Sequence, residues 1–276
     1  MKESGFIESF DGTKIYWQGW LTEAEPRALV FISHGLGEHI GRYEHLAHFL
    51  VERGFSVFGS DHRGHGRSGG KRGHIKSFDE YIRDYKIFRD QTLERHSAPR
   101  LFLIGHSMGG LIAVHYLLNY PKDFSGLILS SPALKVKIDA SPIKLALGRF
   151  FSRTLPGITM SNGLDPNLVS RDPEVVKKYI EDPLVHDRVS ARWFTSFVSA
   201  IDSAQARAGE LNLPILVMQS GADGLVVPEG AKEFYQKVSS PDKTLKIWEG
   251  FYHEMFNEPE KQEVFEFLFR WMEKHL

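Results

Sequence analysis

Short apolar runs with almost no internal alternation recur along this chain, at 28–33, 56–60, 101–104, 127–129, 215–219 and 244–248. A strand that is apolar on both faces must be covered on both, which is the situation of strands in a parallel sheet. The segments between the runs carry helical spacing: Leu46, Phe49 and Leu50 within 43–53, then Tyr81, Tyr85 and Phe88 within 78–96, then a stretch 111–120 that stops before Pro121. Segments 228–238 and 259–275 each open on a proline, which a first helical turn accepts because its N–H has no partner to lose. Strands alternating with helices specify βαβ units and a mostly parallel, doubly wound sheet flanked by helices. Ahead of them, 6–10 and 15–20 alternate around Asp11-Gly12, the pattern of a tight hairpin.

One interval breaks the rhythm. From about 133 to 203 no strand pattern stands out, and the segment is rich in proline and helix-like patches. A length of 276 residues suits one large α/β domain carrying a smaller insertion. The expected organisation is a core of 1–132 and 204–276, with 133–203 as a helical cap. Such a cap would lie over the carboxyl ends of the strands, where open α/β sheets bind ligands.

The sharpest local signal is Gly105-His106-Ser107-Met108-Gly109, a G-x-S-x-G pattern. It follows the run 101–104 and precedes a helical stretch, which is the context this motif requires. The turn is so tight that side chains two residues either side of the serine would collide, so glycines stand there. The bend lifts the Ser107 hydroxyl above the sheet, and the helix N-terminus beneath it favours developing negative charge. Serine is a weak nucleophile at neutral pH and needs a base. In the fold that uses this elbow the acid and then the histidine follow the serine along the chain. Asp223 stands just past the run 215–219, and His253 just past 244–248. Both therefore fall at strand carboxyl ends, where they can meet Ser107, whereas His115, His186, His275, Asp202 and Asp242 do not. In that arrangement Asp223 fixes the His253 tautomer and His253 accepts the Ser107 proton. The oxyanion hole is expected from the backbone N–H of Met108 and that of Leu36, in His34-Gly35-Leu36-Gly37 after the run 28–33. Such a constellation implies cleavage of an ester through an acyl-enzyme, and the elbow implies the α/β-hydrolase fold.

Composition narrows the rest. There is no cysteine, which excludes disulfides, zinc–thiolate sites and cysteine catalysis, and which is compatible with a cytoplasmic location. The formal net charge is −1, so no bulk field draws the chain to nucleic acid. The first residues lack the apolar run of a signal peptide, and no stretch is long and apolar enough to cross a membrane. His45-x-x-His48 and His62-x-x-His65 look like metal pairs but have no evident third ligand, so neither a metal nor a cofactor is expected.

The motifs together resemble the monoacylglycerol lipases, which are grouped with lysophospholipases. The resemblance runs from about Gly5 to the end. It is carried by His34-Gly35-Leu36-Gly37-Glu38-His39 with Gly41-Arg42-Tyr43, and by Asp61-His62-Arg63-Gly64-His65-Gly66-Arg67-Ser68. The elbow, Asp182-Pro183-Leu184, Asp242-Lys243-Thr244-Leu245-Lys246 and Glu249-Gly250 complete it. It implies hydrolysis of a monoacylglycerol to fatty acid and glycerol, with a lysophospholipase or broad carboxylesterase as the neighbouring alternative. It also implies a glycerol-binding corner at Glu38 and Arg42, with Tyr179 from the cap. Glu38 and Arg42 equally suit an i,i+4 pair at a helix start. The chain departs from vertebrate members in lacking cysteine, so their thiol-linked properties do not carry over.

In the cap, Ile143, Leu147, Phe150 and Phe151 fall at helical spacing with Lys144, Arg149 and Arg153 interleaved. That stripe packs inward as part of a hydrophobic acyl channel, the commoner fate of an amphipathic face, or meets a membrane surface transiently. The expected partner is a lipid-like ester, and the expected location is cytoplasmic, at most peripheral to a membrane. An acyltransferase would share the same triad, and a catalytically silent module on this fold would need none of it.

Overall fold

The computed structural model describes residues 1–136 and 150–276; Ile143 and Leu147, two of the residues expected to line an acyl channel, lie outside them. Eight strands form one sheet: β1 Lys2–Glu8, β2 Lys14–Trp20, β3 Ala28–Ser33, β4 Phe55–Ser60, β5 Leu101–His106, β6 Gly126–Ser130, β9 Ile215–Ser220 and β10 Lys243–Trp248. Their order is β1-β2-β4-β3-β5-β6-β9-β10. β2 runs antiparallel to β1 and β4, and every other pairing is parallel. This is the mostly parallel, helix-flanked sheet that the apolar runs imply.

Successive side chains on the central strands feed two cores. Leu29, Phe31, Leu103, Leu127 and Val217 point to one face. There they meet helices α2 Asp79–Leu93, α3 Met108–Asn119, α5 Ala191–Arg207 and α6 Pro228–Lys237. Val30, Ile32, Phe102, Ile104 and Leu216 point to the other, under α1 Glu44–Val51 and α7 Lys261–Glu273. Phe31 is fully buried, and truncating such a side chain to alanine typically costs about 3–5 kcal/mol.

Two expectations need correction. The first hairpin does not turn on Asp11-Gly12 alone. Glu8 pairs with Lys14, and residues 9–13 form the loop, closed by Ser9 N–H to Thr13 O at 2.9 Å and Gly12 N–H to Ser9 O at 3.0 Å. The Ser9 hydroxyl donates to the Asp84 carboxylate, which anchors the loop to the helix that carries Asp84. Between β6 and β9, moreover, the chain does contain strands: β7 Thr159–Ser161 pairs antiparallel with β8 Arg188–Ser190. Three residues are too few to leave a periodic signal.

The same excursion carries α4 Pro173–Glu181, started by the Asp172 carboxylate accepting Glu174 N–H and by Pro173 in the first turn. Its backbone is tied to core loops: His186 N–H to Gly37 O and Ser190 N–H to Gly73 O, both at 2.8 Å. His39 Nε2 meets Asp182 Oδ2, also at 2.8 Å. Gly37 has a φ of 77°, and a Cβ there would lie 2.4 Å from His186 O, so this contact requires glycine.

Candidate active site

Ser107 stands between β5 and α3 with φ 53° and ψ −122°, a conformation that costs energy in a residue with a Cβ. The neighbouring glycines make it feasible. A Cβ on Gly105 would lie 2.6 Å from Gly109 O, and one on Gly109 would lie 2.1 Å from Ser33 O. The Ser107 carbonyl accepts N–H groups of Gly110 and Leu111, so the helix begins at Met108, three residues before its periodic pattern.

Asp223 follows β9 and His253 follows β10, and His253 Nδ1 donates to Asp223 Oδ2 at 2.8 Å. The other Asp223 oxygen accepts the N–H groups of Leu225 at 2.9 Å and Val226 at 3.0 Å. Burial pushes the Asp223 carboxyl up, but His253 and these N–H donors outweigh it and hold it below its usual range. Burial pulls the His253 imidazole down, but the Asp223 carboxylate overrides it and the net direction is up. Ser107 and His253 line one cavity of about 290 Å³. No hydrogen bond joins them at rest; before substrate binds, such contacts are commonly loose and tighten in the complex.

Gly35 brings the loop after β3 against Ser107: a Cβ there would lie 3.2 Å from Ser107 Cβ. Neither the Leu36 N–H nor the Met108 N–H finds an acceptor among the described residues. Two unused donors beside a serine hydroxyl are the kind of arrangement that can receive a developing oxyanion.

Glu38 and Tyr179 line the cavity, whereas Arg42 lies behind it. Arg42 Nη1 donates to Glu38 Oε2 at 2.8 Å, the expected i,i+4 pair. It also engages a residue that the sequence did not single out: Arg42 gives Glu254 two hydrogen bonds of 2.6 Å. The Tyr179 ring covers the guanidinium at 4.7 Å. Gly35 N–H and Tyr43 Oη donate to Glu38 at 2.6 and 2.7 Å. Burial raises Glu38; for Glu254, burial also acts upward, but Arg42 prevails and the net direction is down.

Two further residues escaped the sequence reading. Gln219 Nε2 donates to Asp223 Oδ2 at 3.2 Å, on the oxygen that also receives His253. His106 packs its ring 4.8 Å from that of His253; burial and then the His253 charge push it down to about 3, so it is neutral. Neither has a local signal, since Gln219 lies within a strand and His106 occupies the free x of the elbow motif.

The alternatives for base and acid are engaged elsewhere. His115 Nε2 meets Ala200 O, His186 Nε2 meets Gly64 O, and His275 pairs with Asp242. His45 Nε2 binds Phe256 O and His62 Nε2 sits 3.2 Å from Ser33 Oγ. Among the described residues no group of three or more His, Cys, Asp and Glu side chains could hold a metal ion. Phe150 does not line the cavity. It is exposed, as is Phe151, so the inward packing expected of this stripe is not what these two residues do; where an amphipathic face points is decided by its tertiary neighbours.

A serine at a strained strand–helix bend of a sheet in this order defines an α/β-hydrolase with a serine nucleophile. The comparisons narrow that class. The protein family described as serine aminopeptidase, S33, matches residues 24–260. The monoacylglycerol lipase of Mycolicibacterium smegmatis is 37% identical over 266 residues, spanning 96% of this chain and 95% of that protein. Phospholipase YtpA of Bacillus subtilis is 34% identical over 249 residues, spanning 89% and 95%. The crystal structure of Paleococcus ferrophilus monoacylglycerol lipase superposes with a TM-score of 0.87 at 37% identity, covering 95% of this chain and 99% of that one. The chain belongs to this family of serine α/β-hydrolases, which includes monoacylglycerol lipases.

Proposed function

We propose that the protein hydrolyses monoacylglycerols to fatty acid and glycerol, with Ser107, His253 and Asp223 as the catalytic triad. The observation that carries this reading is the composition of one cavity. Beside Ser107 and His253 it gathers the polar Glu38, Tyr179 and Glu254 and the apolar Leu36, Leu164, Val169, Ile180, Val185 and Leu225. An ester that joins an apolar chain to a small polyol needs both kinds of surface next to the reacting carbon. His253 Nε2 takes the Ser107 proton as Oγ attacks the acyl carbon, and the Leu36 and Met108 N–H groups receive the oxyanion. The protonated imidazole, steadied by Asp223, then returns the proton to the glycerol oxygen as the ester bond breaks. Water repeats the sequence on the acyl-enzyme and releases the acid. Glu38 and Tyr179, with Arg42 orienting both, bind the polyol.

Residues 133–203 act as the cap in this reading. No helix among the described residues is long and apolar enough to cross a membrane. Phe150, Phe151, Leu155, Ile158 and Met160 are exposed within that segment, and they supply a face for transient contact with a lipid surface by a cytoplasmic protein.

The test is product analysis on monoacylglycerols, lysophospholipids and short p-nitrophenyl esters, with Ser107→Ala as the control. Fatty acid and glycerol should appear from monoacylglycerol, and Ser107→Ala should abolish both. Acyl transfer to an added alcohol in preference to water would make the protein an acyltransferase. Absence of any turnover, with no labelling of Ser107 by a fluorophosphonate, would leave a silent module.

A further inference from the structure

The charge around the cavity is one-sided. Four carboxylate side chains line it, Glu38, Asp165, Asp187 and Glu254, and among the described residues no lysine or arginine does. The nearest guanidinium, Arg42, is consumed. Its Nη1 donates to both Glu38 and Glu254, its Nη2 donates to Glu254, and the Tyr179 ring lies over its face. Two buried carboxylates against one guanidinium leave a net negative charge beside Ser107. The other partners, Gly35 N–H and Tyr43 Oη at Glu38 and Asn257 Nδ2 at Glu254, all donate, so they hold both groups as acceptors and none offers a proton to an incoming anion. Asp165 and Asp187 add charge where the site is solvent-exposed.

We propose that this lining is a charge filter on the alcohol side of the ester, with Glu254 as its principal residue: the cavity admits an uncharged polyol and excludes an alcohol that carries a phosphate. The inference rests on the reading of this cavity as the ester-binding site and adds to it the headgroup charge. A phosphate one bond from glycerol would sit within several ångströms of Glu254, with no lysine or arginine among the described lining residues to meet it. A like charge at about 5 Å in an effective dielectric near 20 lowers affinity on the order of a hundredfold. A zwitterionic headgroup gains little relief, because its phosphate is nearer the glycerol than its ammonium is. The rim acts differently: solvated carboxylates are screened over roughly 8–10 Å at ordinary ionic strength, so Asp165 and Asp187 contribute a salt-dependent part and Glu254 a salt-resistant part.

The experiment compares decanoyl glycerol with decanoyl glycerol phosphate, both below micelle formation. Binding to Ser107→Ala by calorimetry needs no turnover; kcat/KM is measured on the wild type, on Glu254→Gln and on Asp165→Asn/Asp187→Asn. The expected binding preference for the uncharged lipid is at least fiftyfold. Glu254→Gln should shrink the kcat/KM preference by about tenfold, mainly through KM for the phosphate ester. The rim double variant should shrink it by about threefold at 20 mM salt and not at 0.5 M. A binding preference near one, or preferences unchanged in both variants, overturns the filter. If Glu254→Gln does not fold, the rim variant and the salt dependence of the wild-type preference decide. If the binding preference holds but neither lipid is cleaved, the hydrolase reading fails and the filter stands.

Discussion

Arg42 grips the Glu254 carboxylate through both of its oxygens, although 212 residues separate the two along the chain. The contact joins the segment after β3 to the loop after β10, so it ties two distant parts of the sequence together at the cavity that Ser107 and Glu254 line. Removing Arg42 would strand two buried carboxylates. Arg42→Ala should therefore cost about 3–5 kcal/mol of stability near pH 7. The deficit should narrow as pH falls, because the unpaired carboxyls can then take protons. Arg42→Lys should recover part of the loss and not all, since an ammonium cannot match a carboxylate with two parallel donors. Urea unfolding at pH 7.5 and 5.5 checks both statements; an Arg42→Ala protein as stable as the wild type would mean that the pair is not the anchor described here.

The Asp223 carboxylate raises the His253 pKa above the usual histidine value near 6.5. His253 must be neutral to act as base, so activity should rise with pH along an acid limb whose midpoint lies above 6.5. Asp223→Asn removes the charge that raises it. Burial is then opposed only by the lesser pull of Glu254 and Glu38, and the midpoint should move down while turnover drops on the order of 10³–10⁴-fold. A pH–kcat/KM profile of the two proteins decides it. An unmoved limb would show that another group than His253 controls the reaction.

How much of this was legible in the sequence differs by element, for physical reasons. The sheet was legible because strands covered on both faces leave unbroken apolar runs, and β3, β4 and β9 lie within a residue of those runs. The start of α3 was read three residues late, because Met108-Gly109-Gly110 is shaped by the elbow and not by helical periodicity. Ser107, Asp223 and His253 could be singled out because each follows a strand end. Glu254 could not: it neighbours His253 in sequence, but its partner is fixed only by the closed fold. Gln219 reads as strand interior, and only the turn that returns Asp223 over it shows its amide meeting that carboxylate. The Phe150–Phe151 spacing was visible, but spacing gives a helix a face without saying where the face points.

The buried histidines carry an acid sensitivity of opposite sign to that of His253. Burial, the foremost cause in each case, lowers His34, His62, His65 and His106, with His62 at about 4 and His106 at about 3. The unfolded chain takes up these protons near 6.5, and the folded chain refuses them until the pH is far lower. Stability is therefore intact above 6.5 and declines as pH falls from 6.5 towards 4, by up to about 1.4 kcal/mol per unit for each such group. His253, whose folded value is raised, contributes stability that is fully present below 6.5 and is lost as pH rises from 6.5 through its folded value, so its change falls above the window in which the other four act. Urea midpoints from pH 8 to pH 4.5 should fall on the acid side, and His62→Asn should flatten that fall.

Gly109 tests whether the elbow and the loop after β3 act as one unit. A Cβ at this position would lie 2.1 Å from Ser33 O and 2.4 Å from His34 O, both of them backbone atoms of the strand end that leads to Leu36. Backbone cannot swing aside as a flexible side chain does, so Gly109→Ala must push α3 away from β3. That motion separates the Met108 N–H from the Leu36 N–H, and an oxyanion would then reach one donor and miss the other. Losing one such donor typically costs about 10²–10³ in turnover. Gly109→Ala should show a loss of that order in kcat, with KM changed far less, because the polyol and acyl surfaces stay where they are. Gly224→Ala is the control: its Cβ would meet the Leu168 side chain at 2.9 Å, a neighbour that can repack, so its kcat should stay within a few fold. Steady-state kinetics on the two folded variants separates the cases, and a Gly109→Ala enzyme with wild-type kcat would show that the two N–H groups do not jointly serve the oxyanion.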